Sequence, residues 1–492
     1  MGNQERASSK TIRVLFVAAE ADPIIKVGGL GDVTGSLPLA LRSLEPARAN
    51  GYELDVRLAI PFHSAITIPS HALERAASFK VPHPDGPIQA QAFKIQVDEL
   101  PVYLIQGAPI PEDAPVYSLD TRKDGEKYTF FSLAVLELAR ALNWAPDILH
   151  ANDWHTALSI YQLSLLRPND PFFARTRSIL TVHNLPFMGG GTEDALTSFG
   201  IAPLLDSRLP PWGTFQPLPM GLASADMITT VSPTYAREIL TPEFGSGLQG
   251  FLQKRASDIV GILNGLDEDF WNPATDPHLG VNFNKDALEE RAANKQALVR
   301  EFSLQTDEDL PLLALVSRMD YQKGIDLALN GLRQAAGEPW QLILLGSGDP
   351  ALESAAKQFE AEFPRRARVV IRYDAKLSRR IYGGADMLLM PSRYEPCGLA
   401  QMIAMRYGCL PVARATGGLR DTVKDKPSPE NSTGFLFENA TADEMAQALR
   451  RAISAYSNRE EWKKRQICAM QQDFSWARSA QAYVQIYDRL VS

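Results

Sequence analysis

Cysteine is scarce in this chain: there are three in 492 residues, Cys397, Cys409 and Cys468. Three cannot build a disulfide framework and none sits at metal-ligand spacing, so neither a stapled secreted fold nor a thiolate metal site is expected. Long apolar runs are missing too. No stretch of about 18 apolar residues is available to span a membrane, and the polar opening, residues 1–10 with Glu5, lacks the apolar segment of a leader. Positive charge is not in excess. The formal net charge is −8, so no broad basic field exists to meet nucleic acid or an anionic membrane. Any bound anion must therefore meet local charge. Short-period repeats and low-complexity tracts are absent, the nearest approach to disorder being the polar loop 424–433 with its two prolines. What remains is a chain that is 45% hydrophobic and long enough for two or three domains, with cytoplasm, a reducing setting, as the expected location.

What the chain has is alternation. Apolar runs of strand length at 12–18, 55–59, 93–97, 102–105, 148–150, 178–181 and 227–230 are separated by helical patterns such as 128–142, where Phe131, Val135, Leu138 and Leu142 share one face. Such alternation predicts an α/β fold with a parallel sheet covered by helices on both faces. The pattern restarts at 312–316, 341–345, 369–372, 387–390 and 410–413, which predicts a second doubly wound domain. The join is expected near Gly261-Ile262-Leu263-Asn264-Gly265-Leu266-Asp267, giving a first domain over 1–262 with a final helix 475–492, and a second over 263–474. Ligands of open α/β sheets sit beyond the carboxyl ends of the strands, so two such sheets facing each other would form one cleft.

The first strand runs into Lys26-Val27-Gly28-Gly29-Leu30-Gly31-Asp32-Val33. A strand, a glycine-rich turn and a helix let backbone N–H groups and a positive helix end approach an anion, and Lys26 adds a charge. The pattern is neither a dinucleotide nor a P-loop signature, and glycines that serve packing alone remain the alternative. The helix itself is expected over 35–43, with Pro38 early, where its missing N–H is tolerated. After the strand at 148–150 come Asp153 and His155, either acid/base groups or the cap of the next helix; the capping preference of Asp favours the cap. His183 and Asn184 follow the strand at 178–181, a position suited to ligand contact, though a satisfied buried histidine fits as well. His150, His155 and His183 lack metal-site spacing, so no metal is expected.

The second half carries the denser cluster. Arg318 and Lys323 fall in one strand-to-helix loop, and a planar fork beside a point charge suits a diphosphate. Gly346 and Gly348 end the next strand, Glu395 lies in Tyr394-Glu395-Pro396-Cys397-Gly398, and Thr416-Gly417-Gly418-Leu419 repeats the glycine turn. Four such loops at successive strand ends are hard to ascribe to packing alone.

These motifs, with Val231-Ser232-Pro233-Thr234-Tyr235-Ala236 and Pro242-Glu243-Phe244-Gly245, run in order through nearly the whole chain. On them the sequence resembles the bacterial glycogen synthases and plant starch synthases, retaining glycosyltransferases of the two-Rossmann-domain (GT-B) type. The resemblance implies transfer of glucose from ADP-glucose to the non-reducing end of an α-1,4-glucan. It implies no cofactor, no nucleic-acid partner, and a last helix that crosses back to the first domain, leaving a hinge. It also implies roles. Lys26 with the amides of Gly28 and Gly29 would hold the donor diphosphate, as would Arg318, Lys323 and the backbone of Thr416, Gly417 and Gly418. Glu395 and His183 would face the transferred sugar, Asp32 would be an active-site aspartate, and Tyr373 would stack on the adenine. Asn184 and Asn264 would join the donor site, and Asp153 the acceptor side. The lysine common before the family's glycine is missing from Leu218-Pro219-Met220-Gly221, and Asp124-Gly125-Glu126-Lys127-Tyr128 also departs from the usual run; both regions are expected at the glucan. A related transferase of the sucrose- or trehalose-phosphate synthase type and a glucan-binding homologue without catalysis are the other two readings.

Overall fold

The computed structural model describes residues 10–68, 72–110, 115–307 and 309–492, in two compact units. The first holds residues 10–231, 236–265 and 476–492; the second holds 232–235 and 266–475.

The first unit is built on a nine-stranded sheet: β1 (Lys10–Val17), β2 (Tyr52–Pro61), β3 (Glu74–Val81), β4 (Ile88–Val97), β5 (Leu100–Gly107), β6 (Ile148–Asn152), β7 (Arg177–Val182), β8 (Met227–Thr230) and β9 (Ile259–Gly261). Their spatial order is β3-β4-β5-β2-β1-β6-β7-β8-β9. Central strands are apolar on both faces because helices cover both: Val14, Phe16 and Val17 are wholly buried. The sheet is not parallel throughout. β4 pairs antiparallel with both β3 and β5, which the alternation pattern did not predict. β3 itself (ERAASFKV) escaped notice because its outer face is charged and its apolar content low. The helix after β1 spans Gly29–Arg42, so Pro38 lies well inside it rather than at its start, and Thr34's carbonyl gains no partner from that position. Helix Thr121–Ala141 starts seven residues before the predicted one, capped by Asp120, whose side chain accepts from the amides of Arg122 and Lys123.

The last helix, Trp476–Val491, packs in this first unit although it ends the chain. Trp476, Ala480, Tyr483, Val484 and Tyr487 join the core cluster formed by Val14, Phe16 and Leu37. Its Tyr487 hydroxyl meets His150 Nδ1 at 2.8 Å, and His150 Nε2 meets Thr181 Oγ1 at 2.7 Å. His150 is thus a core residue that ties the final helix to the sheet.

The second unit carries six parallel strands: β10 (Leu312–Val316), β11 (Gln341–Gly346), β12 (Ala367–Ile371), β13 (Met387–Met390), β14 (Leu410–Arg414) and β15 (Phe435–Phe437). Their order β12-β11-β10-β13-β14-β15 is that of a dinucleotide-binding Rossmann sheet, reversing direction between β10 and β13. The first sheet reverses in the same sense between β1 and β6. The two loops that flank each reversal are where an α/β sheet opens a ligand crevice. The loop 424–433 is tied down rather than disordered: Thr433 donates its amide to the Lys424 carbonyl at 2.8 Å, and Glu430 pairs with Lys464 at 2.9 Å. Among the described residues no helix is long and apolar enough to cross a membrane.

Candidate active site

At the reversal of the first sheet, the loop after β1 is organised by a residue that the sequence did not single out. Glu20 is 1% exposed, and its carboxylate accepts from the amides of Val27 and Gly28 (3.3 Å to Gly28) and from the Tyr117 hydroxyl at 2.9 Å. Burial raises its pKa, against the pull of those hydrogen bonds. The Gly28 amide therefore already has an anion, its own chain's, and differs in this from its expected role. Gly29 does not share that constraint. A Cβ built on it would meet no atom of the described residues within 4 Å, so its lack of a side chain answers to no packing neighbour and leaves open space at the helix N-terminus. Lys26 beside it pairs with Asp32 at 2.5 Å and Asp22 at 3.6 Å. Burial raises the Asp32 pKa, and the lysine lowers it.

Across the same reversal, Asp153 follows β6 with a positive φ of 56°. It occupies the N-cap position of helix Trp154–Leu166, yet its side chain makes no capping hydrogen bond. The carboxylate turns instead to the amides of His183, at 2.7 Å, and Asn184, which corrects the capping expectation. Burial pushes its pKa up to about 7, the two amides lower it, and the charge of Glu20 adds to the rise. His183 Nε2 faces Asn152 Oδ1 at 2.9 Å, so Nε2 carries the proton and Nδ1 keeps a lone pair. Burial lowers the His183 pKa to about 3, so the imidazole is neutral. Asn184 Oδ1 is a buried acceptor without a partner among the described residues. Asn264 is buried at the end of this unit's second segment.

In the same unit, Lys127 is fully buried, paired with Asp124 at 2.7 Å and donating to the carbonyls of Pro115 and Val116 at 2.9 and 2.8 Å. That pair holds the chain around Tyr117 in place. Asp124 and Lys127, within the departure at 124–128, thus scaffold the loop that carries Tyr117.

In the second unit, the loops after β10 and β13 supply Arg318, Lys323 and Glu395 to one cavity of about 140 Å³, with Ser392 and Gly398. Lys323 Nζ lies 2.6 Å from Glu395 Oε2, which also accepts from Ser392 Oγ at 3.0 Å. Asp320 accepts the Lys323 amide at 3.0 Å, which fixes the turn that aims the lysine. Arg318 has a side chain 70% exposed and meets Asp320 at 3.2 Å. Acid and base here neutralise each other, with an exposed guanidinium alongside.

The glycine turns divide by cause. A Cβ on Gly417, φ +43°, would sit 2.0 Å from the Glu395 carbonyl oxygen, and one on Gly418 2.1 Å from that of Cys397. Gly346 and Gly348 are likewise pressed on the Ser317 and Met319 carbonyls. These four are glycines because neighbouring loops touch there. The Gly418 amide donates to the Glu395 and Pro396 carbonyls at 3.1 and 3.2 Å, so its expected grip on the diphosphate gives way to a grip on the Glu395 loop. Thr416 is the extended residue before that short helix. Ser232 adds a further tie, its hydroxyl donating to the Pro396 carbonyl at 2.6 Å. Tyr373, 87% exposed in the loop after β12, is not among the walls of the Glu395 cavity.

The chain is similar along nearly its whole length to known proteins. Residues 13–254 match the starch synthase catalytic domain and 299–467 the glycosyl transferases group 1. The glycogen synthase of Geotalea daltonii is 39% identical over 487 residues, 98% of this chain and 99% of that one. That of Anoxybacillus flavithermus is 36% identical over 98% of both. The catalytic domain of starch synthase IV from Arabidopsis thaliana, solved bound to ADP and acarbose, superimposes with a TM-score of 0.83 at 31% identity, covering 98% of this chain and all of that one. Fold and matches together define a glycosyltransferase of the two-Rossmann-domain, GT-B class. Within that class, the chain belongs to the glycogen and starch synthase family, the enzymes of glucosyl transfer in glycogen and starch synthesis.

Proposed function

We propose that this enzyme transfers glucose from ADP-glucose to the non-reducing end of an α-1,4-glucan with retention of configuration and without a resident cofactor. The observation that carries the reading is the Lys323–Glu395–Arg318 cluster at the reversal of the second sheet, acid and cations meeting in one small cavity. The ADP and acarbose bound to the starch synthase IV catalytic domain support a nucleoside diphosphate donor and a glucan-like acceptor for its relative here.

The chemistry follows from charge. As the bond from sugar carbon to diphosphate oxygen breaks, the electron pair leaves with the diphosphate, so cations at the leaving group lower the barrier. Arg318 is exposed and able to swing onto a phosphate; Lys323 then divides its protons between phosphate and Glu395. The acceptor hydroxyl attacks from the face the diphosphate vacates, and its proton passes to a diphosphate oxygen. A retaining glycosidase would instead need two carboxyls ~5 Å apart, and Glu395 stands as the acid of this cavity. Neutral His183 offers Nδ1 as an acceptor for a sugar hydroxyl. Lys26 and the open Gly29 amide take a share of the donor's charge.

The test is to incubate the enzyme with glycogen and either ADP-glucose or UDP-glucose, following nucleotide release and chain growth. Faster ADP release, matched by α-1,4-linked growth at non-reducing ends, is the expected result. Preference for UDP-glucose would overturn the donor assignment, and release without growth would overturn the transfer.

A further inference from the structure

The Lys323–Glu395 contact joins two loops that lie 72 residues apart in the chain. Both side chains are long and rotatable, so the distance between them is set by the backbone from which each projects. That backbone is fastened at several points. A Cβ on Gly324, φ +66°, would sit 2.2 Å from the Pro391 carbonyl oxygen, so the turn through Lys323 is pressed directly on the loop after β13. The Arg393 amide donates to the Gln322 carbonyl at 2.8 Å, and Gln322 Nε2 donates back to the Tyr394 carbonyl at 3.3 Å.

One side chain spans the whole junction. Arg393, two residues before Glu395, sends its guanidinium back over the Lys323 turn. Its Nη1 donates to the Tyr321 carbonyl at 2.9 Å, and Nη1 and Nη2 meet the two carboxylate oxygens of Asp326 at 2.9 and 2.7 Å. The guanidinium carbon lies 3.9 Å from the centroid of the Tyr321 ring, which is otherwise 72% exposed. Asp326 stands in the first turn of helix Ile325–Gln334, and the bond from Arg393 holds its carboxyl below the usual carboxylate range. A planar fork takes a carboxylate, a carbonyl and a ring face together, which an ammonium cannot. Arg393 is not among the walls of the Glu395 cavity, and both of its terminal nitrogens are committed to Asp326 and Tyr321. It therefore acts on the loops and not on a phosphate.

We propose that Arg393 is a positioning residue: it clasps the turn that carries Lys323 to the loop that carries Glu395, and so sets where the lysine meets the departing diphosphate. The role rests on the leaving-group reading of Lys323 given above. An ion pair whose side chains are 18% and 40% exposed contributes little to stability. Displacing a reacting group by about 1 Å costs about a hundredfold in rate. Loss of the clasp therefore falls on turnover rather than on folding.

Double-mutant cycles in the full enzyme test this. Arg393→Ala should lower kcat with ADP-glucose by about tenfold to a hundredfold, with KM for the donor within about threefold of the parent and the melting temperature close to it. In a Lys323→Ala background the same change should cost no more than about twofold, because the lysine it aims is gone. In a Lys26→Ala background, in the other unit, the two losses should multiply, because those sites share no partner. Losses that multiply in both backgrounds would overturn the proposal, as would Arg393→Ala with the parent kcat. Should Arg393→Ala not fold, Asp326→Asn, which leaves Arg393 intact and removes the charge it grips, goes through the same cycles under the same criteria. Parent turnover in Lys323→Ala alone would sink the leaving-group reading and the clasp with it. A slow Lys323→Ala whose loss multiplies with that of Arg393→Ala would sink the clasp alone. Either nucleotide sugar serves in these cycles, so they do not depend on the ADP-glucose assignment.

Discussion

Arg318 and Lys323 are neighbours in sequence and opposites in constraint. Lys323 is held by Glu395 and by the turn through Asp320, whereas Arg318 has one exposed contact. Substituting Arg318 by alanine should therefore leave the melting temperature close to that of the parent, because an exposed side chain with one ion pair contributes little. Turnover with ADP-glucose should nevertheless fall about a hundredfold, the usual loss when one stabilising donor at a leaving group is removed. Steady-state kinetics beside thermal melts separates the two, and an active, equally stable variant would remove the basis of the leaving-group assignment. The two residues themselves were legible in the sequence, as a fork and a point charge in one strand-end loop. Glu20 was not. An acid before a glycine turn reads as surface until the fold buries it, and only then do its bonds to Val27, Gly28 and Tyr117 identify it as the residue that shapes the turn.

Among elements, the informative contact is between two loops of the second unit. The backbone at Gly417 and Gly418 lies against the carbonyls of Glu395 and Cys397, so no side chain fits between them. Gly418→Ala must push the Glu395 loop aside. We expect a loss of about 1–3 kcal/mol in stability, from strain of the overpacking kind, and a fall in kcat larger than that stability change alone would produce. Chemical denaturation with parallel kinetics measures both; a variant that loses stability but keeps kcat would show that Glu395's position does not depend on this contact. From the sequence these glycines read as anion cradles, in the same terms as Gly28 and Gly29. The strand-turn-helix pattern is identical in all of these places. What differs is whether another loop fills the space above the turn, and that depends on chain segments far apart in sequence.

For the whole molecule, the buried histidines of the first unit set its response to acid. Burial lowers the pKa of His63 to about 4 and of His150 and His183 to about 3, and drives that of His155 well down. A histidine depressed in the folded state contributes stability that is complete above its unfolded value near 6.5 and is lost as pH falls below it, at about 1.4 kcal/mol per pH unit for each. Four carboxyls of the same unit, Glu20, Asp32, Glu137 and Asp153, act in the opposite direction: their raised pKa values cost stability as pH climbs from the usual carboxylate range to the raised value, about 7 for Asp153. The histidines lose stability over the whole range down to about pH 4, whereas each carboxyl opposes them only between its usual and its raised value, so the unfolding midpoint should drop between pH 6.5 and pH 4. Thermal melts across that range check this, and a flat profile would mean that these rings exchange protons in the folded state.

Two α/β domains, most of their strands, the last helix and the strand-end positions of the candidate cations and acid were legible in the sequence alone. Each rests on local information: the period of apolar residues, the position of glycine, the type of side chain at a turn. The strand order, the antiparallel hairpins at β3 to β5, the three-residue strands β9 and β15, and the burial of Glu20 and Asp153 were decided only by the tertiary structure. Those depend on which distant segments come to lie side by side and on how much water they exclude, and neither pairing nor desolvation is written in any single stretch of the chain.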